Sequence, residues 1–88
     1  MQKIYFSLIL ALYNEGPTLK QSLTTIYKTL KKIKKTWEVI LVEDGSSDDT
    51  LKTAAELLPR LKNTRLIKHK LNEGRAKTVS DGIKEARG

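Results

Sequence analysis

Two apolar runs, residues 4–12 and residues 37–42 (Trp-Glu-Val-Ile-Leu-Val), constrain the fold more than any other feature of this chain. Neither shows the clean apolar-polar alternation of a strand with one wet face. Such near-continuous runs are expected of strands covered on both sides, as in a parallel sheet. A third run, residues 64–69, is shorter and more polar. The segments around these runs carry helical spacing instead. Leu19, Leu23, Ile26, Leu30 and Ile33 step by 4, 3, 4 and 3 and draw one stripe along a helix that Pro17 opens.

A second helix is expected to begin near Ser46-Ser47-Asp48-Asp49, where Ser or Asp can cap free N–H groups and the acids suit the positive helix end. Its stripe is Leu51, Ala54, Ala55 and Leu58, and Pro59 discourages continuation. A third starts around Asn72-Glu73-Gly74, with Ala76, Val79, Ile83 and Ala86 as its stripe. The order β-α-β-α-β-α predicts an α/β fold: a Rossmann-like three-layer unit with a parallel sheet and right-handed crossovers.

Composition bounds what such a unit can do. With 88 residues there is room for one domain. The chain has no cysteine, which excludes disulfides and thiolate metal sites, and its single His argues against a His-based metal centre or a Ser-His-Asp triad. A net charge of +7 raises the question of a polyanionic partner. The basic, apolar start is interrupted by Tyr5 and Ser7 and lacks a small-residue cleavage pattern, and no run reaches the roughly 18 apolar residues that span a bilayer. A cytoplasmic location is the expectation.

In an open α/β sheet, ligands bind beyond the carboxyl ends of the strands. Three polar clusters fall there: Ala11-Leu12-Tyr13-Asn14-Glu15-Gly16, Glu43-Asp44-Gly45-Ser46-Ser47-Asp48-Asp49-Thr50, and Lys70-Leu71-Asn72-Glu73-Gly74-Arg75. An acid at a strand end can accept hydrogen bonds from a nucleobase N–H or a ribose hydroxyl; equally, Asp44 and Ser46 could simply cap a helix. Tyr13 could stack on a base or close the core. Glu15 could just favour a helix start, Arg75 could pair with a phosphate or stand in solvent, and His69 reads as non-catalytic. Neither the dinucleotide-binding glycine pattern nor the P-loop is present.

In order and spacing, Ala11-Leu-Tyr-Asn-Glu15, Val42-Glu-Asp-Gly-Ser-Ser-Asp-Asp-Thr50, and Asn72-Glu-Gly-Arg-Ala76 leading to Gly82-Ile-Lys-Glu-Ala-Arg-Gly88 resemble the N-terminal half of the family 2 glycosyltransferases. The first two segments most resemble the polyprenyl-phosphate (dolichol-phosphate) sugar synthase branch. The resemblance implies a GT-A fold and a UDP- or GDP-sugar donor whose sugar passes to an acceptor with inversion, the acceptor in this branch being a lipid phosphate. It implies nucleotide binding by Ala11, Tyr13, Glu15, Val42 and Asp44, with Arg75 as a secondary contact. Ala11 stands where the family often has Pro, and Glu43 where it often has Asp. The family's Asp-x-Asp, which holds a divalent Mg or Mn, and its acceptor base have no counterpart among these residues. The expectation is therefore a nucleotide-sugar-binding subdomain over residues 1–88, cut before the metal-binding strand, that binds nucleotide weakly and transfers nothing.

Two basic clusters complete the reading: Lys28, Lys31, Lys32, Lys34 and Lys35, then Arg60, Lys62, Arg65, Lys68 and Lys70. They are either a solvated face or a surface for peripheral attachment to an anionic membrane face. The competing function is a non-catalytic basic binding module for a nucleotide, nucleic acid or membrane; nucleic acid is the weaker form, since no known module matches. A signalling receiver domain fits poorly, because strand one ends in Tyr-Asn-Glu and strand three in Lys-His-Lys. With strand order 3-2-1, residues 4–12 would leave an open edge through which copies could associate.

Overall fold

A computed structural model describes residues 3–69 and 74–88, with Arg75 and Ala76 described by their backbone alone. Its elements are β1 (Phe6–Leu12), α1 (Gly16–Leu30), β2 (Trp37–Asp44), α2 (Thr50–Leu57), β3 (Thr64–His69) and α3 (Arg75–Glu85), with one 3-10 turn at Leu58–Arg60. The three strands are parallel in the order β1-β2-β3, as the sequence pattern predicts. Register pairs Ile9 with Ile40, Ala11 with Val42 and Asp44 with His69. Every residue of β2 is buried, which is why its run does not alternate.

The two faces of β2 differ. Trp37, Val39 and Leu41 pack in one cluster with Leu19, Leu23, Tyr27 and Leu30 of α1 and Ala54 of α2. Each fully buried aliphatic side chain here is worth about 1.5–3 kcal/mol. Tyr27 meets Trp37 edge-on with ring centres 5.9 Å apart, and the Trp37 indole N–H donates to the Leu30 carbonyl at 3.1 Å. That carbonyl also accepts the Ile33 N–H at 3.0 Å, so α1 stops at Leu30. Ile33, expected to extend the stripe, lies outside the helix and is 37% exposed.

The opposite face is covered by α3; of its expected stripe Val79 and Ala86 are partly buried, and the Ala76 side chain lies outside the described residues. Thr78 and Gly82 face the sheet, whereas Ile83 is 60% exposed. Gly82 explains the choice: a Cβ there would lie 2.5 Å from Ile9 Cγ2 and 3.2 Å from Val42 Cγ2. The helix sits on β1 and β2 through the one residue that lets its backbone come that close. After α3 the chain turns back, and the Arg87 N–H donates to Glu38 Oε2 at 2.6 Å and the Gly88 N–H to Ser7 Oγ at 2.8 Å. No helix among the described residues is long and apolar enough to cross a membrane.

Candidate functional site

The carboxyl ends of β1 and β2 are joined by side chains reading backbone. The Asn14 N–H donates to Ser46 Oγ at 2.9 Å, the Glu15 N–H to Thr50 Oγ1 at 2.7 Å and the Gly16 N–H to Asp48 Oδ2 at 3.1 Å. In return the Ser47 N–H donates to Asn14 Oδ1 at 2.9 Å. Gly45 and Asn14 both take left-handed backbone, with φ of 68° and 52°, which Gly and Asn adopt most readily. The free N–H groups at the start of α1 are thus met by the loop after β2, because α1 has no side-chain cap of its own. Asp48 also accepts the Thr50 N–H at 2.9 Å and the Thr50 hydroxyl. The bond from that hydroxyl, joined by the backbone N–H groups, holds the Asp48 carboxyl below the usual carboxylate range.

Glu43 and Asp44 end β2 on opposite faces. Glu43 is 1% exposed, and its Oε1 accepts the Ser46 N–H at 2.5 Å, which fixes the turn. Asp44 is 3% exposed and turns toward α3. Its Oδ2 accepts the Gly74 N–H at 3.0 Å, at the residue that precedes α3, and its Oδ1 lies 2.9 Å from His69 Nδ1. The helix-cap reading of Asp44 is therefore correct in kind and mistaken in target. Asp44 serves the start of α3, on its own face of the sheet, and α2 starts without it.

Of the residues expected to bind nucleotide, Tyr13 is exposed at 45%, while Ala11 and Glu15 are partly buried. Ala11 and Val42 are register partners, but Val42 has no exposed surface because α3 lies over it at Gly82. The side chain of Arg75 lies outside the described residues. Five of the six expected positions therefore fall toward the carboxyl ends of β1 and β2, with Tyr13 exposed and Val42 covered by α3. Sequence reasoning passed over His69, whose side chain is only 7% exposed. The signal available was that Asp44 and His69 each close a strand, so parallel register can bring them level.

The chain matches Glycosyl transferase family 2 over residues 7–88. It belongs to that family. It is 35% identical over 95 positions to a dolichyl-phosphate beta-glucosyltransferase of Dictyostelium discoideum, covering 100% of this chain and 29% of that protein. A second dolichyl-phosphate beta-glucosyltransferase, from Trichomonas vaginalis, is 33% identical over 91 positions, covering 98% of this chain and 28% of the relative. The poly-beta-1,6-N-acetyl-D-glucosamine synthase of Staphylococcus aureus is 37% identical over 81 positions, covering 89% and 18%. The chain thus spans less than a third of the length of these curated relatives. The three-stranded α/β unit is consistent with the N-terminal Rossmann-like part of the family's GT-A fold.

A divalent metal, which the family implies, finds no fit here: among the described residues no group of three or more His, Asp or Glu side chains could hold one. One group of lysines lies at the other end of the sheet. Lys31, Lys34, Lys35 and Lys62 line a cleft of about 320 Å³ with Ile33 and Trp37, at the start of β2. Seven strand steps separate Trp37 from Asp44, which at about 3.3 Å per residue is about 23 Å. Arg65, expected among the basic residues, instead bonds Glu38 at 3.0 Å and pairs with Glu85 at 3.5 Å, and Lys70 lies outside the described residues.

Proposed function

We propose that this chain reads the nucleoside of a UDP- or GDP-sugar for a glycosyltransferase that passes the sugar, with inversion, to a polyprenyl-phosphate acceptor. The observation that carries this is the buried acid at the family's strand-end position. Asp44 is held at both carboxylate oxygens, at the end of the strand that pairs with β1, and β1 leads into the exposed Tyr13 and then Glu15. Each oxygen of a carboxylate can accept more than one hydrogen bond, so Asp44 can keep its internal partners and still accept from a ribose hydroxyl or base N–H. Tyr13 offers a face for the base, and Arg75 a positive contact. The proposal assigns recognition, and not transfer, to these residues, and routes no step through a metal.

Calorimetry with UDP, GDP and UDP-glucose tests it. Weak binding of at least one ligand is expected, and Asp44→Ala should abolish it. If none of the three gives a saturable signal, or if Asp44→Ala binds as before, the assignment is wrong.

A second reading concerns location. The lysine cleft, with Ile33 on its rim, has the chemistry to hold the protein peripherally at an anionic cytoplasmic membrane face, each cation near the lipid adding about 1 kcal/mol. Docked end-on, the chain would hold Asp44 about 23 Å from the lipid. A lipid-phosphate acceptor therefore favours docking side-on. Co-sedimentation with phosphatidylserine vesicles should retain the protein at low salt and release it at high salt, and Lys34→Glu with Lys35→Glu should weaken retention.

A further inference from the structure

The His69 ring is flanked on both sides. Its Nδ1 lies 2.9 Å from Asp44 Oδ1, and its Nε2 lies 2.9 Å from Asp81 Oδ2 on α3. Asp81 in turn accepts from Lys77 Nζ at 2.7 Å, one helical turn away. The His69 and Asp44 side chains are 7% and 5% exposed, and that of Asp81 is 21%. The Lys77 ammonium first, then His69, hold the Asp81 carboxyl below the usual carboxylate range against its partial desolvation. Among the described residues, the ionisable groups against the ring are thus Asp44 from β2 and Asp81 from α3, with Lys77 behind Asp81.

An ionised carboxylate only accepts hydrogen bonds, and a neutral imidazole has one donor. Two carboxylates on two ring nitrogens therefore call for a ring that donates from both. We propose that His69 is a positioning residue whose imidazolium, braced by Asp81, locks the plane of the Asp44 carboxylate toward the nucleoside. This rests on the nucleoside reading of Asp44. The terminal torsion of an Asp side chain is broad and nearly two-fold, so a carboxylate held at one oxygen can still swing. The Gly74 N–H fixes Oδ2 and the His69 ring fixes Oδ1, which leaves one orientation. Through His69, Asp81 links α3 to the recognition of the ligand.

The test uses the 88-residue chain, labelled with nitrogen-15, with UDP and GDP as probes. At neutral pH the ring nitrogens of His69 should both show the protonated signature, and Asp81→Asn should convert the spectrum to that of a neutral tautomer. His69→Phe, which keeps a ring and loses both donors, should weaken nucleotide binding roughly tenfold, the usual scale for a hydrogen bond to a charged group. His69→Gln, which restores one donor toward Asp44, should recover part of that loss. Circular dichroism checks that each variant folds; should His69→Phe not fold, His69→Gln and Asp81→Asn carry the test. A neutral ring in the unaltered chain overturns the proposal, as does undiminished nucleotide binding in His69→Gln together with His69→Phe. If UDP and GDP fail to bind the unaltered chain, the nucleoside reading falls first and the positioning role with it.

Discussion

Glu38 and Asp44 stand on the same face of β2, at its two ends, and both are almost fully buried, yet their partners differ in kind. Glu38 is closed in by the framework: the Ser7 hydroxyl at 2.6 Å, the Arg65 guanidinium at 3.0 Å and the Arg87 N–H at 2.6 Å. Asp44, at the carboxyl end of β2, accepts from the Gly74 N–H and meets the titratable His69 ring. Burial alone would raise the Glu38 carboxyl, but the bonds from Ser7 and the Arg87 N–H, with Arg65, outweigh it and leave it below its ordinary value of 4.5. An acid whose bonds are supplied by strand, strand and tail works as a clasp. One that meets a titratable ring, at the carboxyl end of the sheet, is where the proposed recognition falls.

The strongest way to break this comparison is to remove the clasp. Glu38→Ala strands Arg65 at the sheet and should cost about 3 kcal/mol in urea unfolding, the lower end for a buried pair because Arg65 is partly exposed. It should leave the Asp44 edge able to bind nucleotide; equal damage to both ends would mean that they are one unit. The acid limb sharpens the same point. A depressed carboxyl contributes stability that is complete above 4.5 and is lost as pH falls through the lower folded value, so the gentler Glu38→Gln should flatten the fall in stability below that pH.

Next in size is Gly82→Val, which forces β-branched bulk against Ile9 and Val42. Overpacking of this kind typically costs about 1–3 kcal/mol. Because α3 carries Asp81 and leads into the tail that bonds Glu38, this change should loosen both acids together, visible as faster amide exchange at Gly74 and at Arg87. Smallest is Thr50→Val, which keeps the shape of a fully buried side chain but removes the acceptor for the Glu15 N–H. A loss of about 1 kcal/mol is expected in thermal unfolding, with β1's carboxyl loop affected and Glu38 untouched.

Much of this was legible in the residues. The unbroken runs gave the strands and their parallel pairing, since covered strands need apolar groups on both sides. The 64–69 run coincides with β3, and Pro59 falls in the 3-10 turn that ends α2. Glu43 and Asp44, read as the polar cluster that ends the 37–42 run, are part of β2 itself, because a strand can carry an acid wherever a neighbour supplies donors. The third helix misled for a different reason. Val79 and Ile83 are the bulky residues, but the sheet face belongs to Thr78 and Gly82, and close approach of backbones rewards the smallest side chain over the most apolar one.

Length, periodicity and the three strand-end clusters by themselves determined the α/β class, the parallel pairing and the family resemblance. Those follow from local preference and from which segments must be buried. Only the tertiary structure decided that Asp44 faces α3, that His69 stands between two carboxylates, that Arg65 belongs to a clasp, and that Lys31, Lys34, Lys35 and Lys62 line a cleft at the start of β2 while Lys77 joins the acids at the other end. These depend on register and helix rotation, and hydrogen bonds across 25 or more residues leave no local trace in the chain.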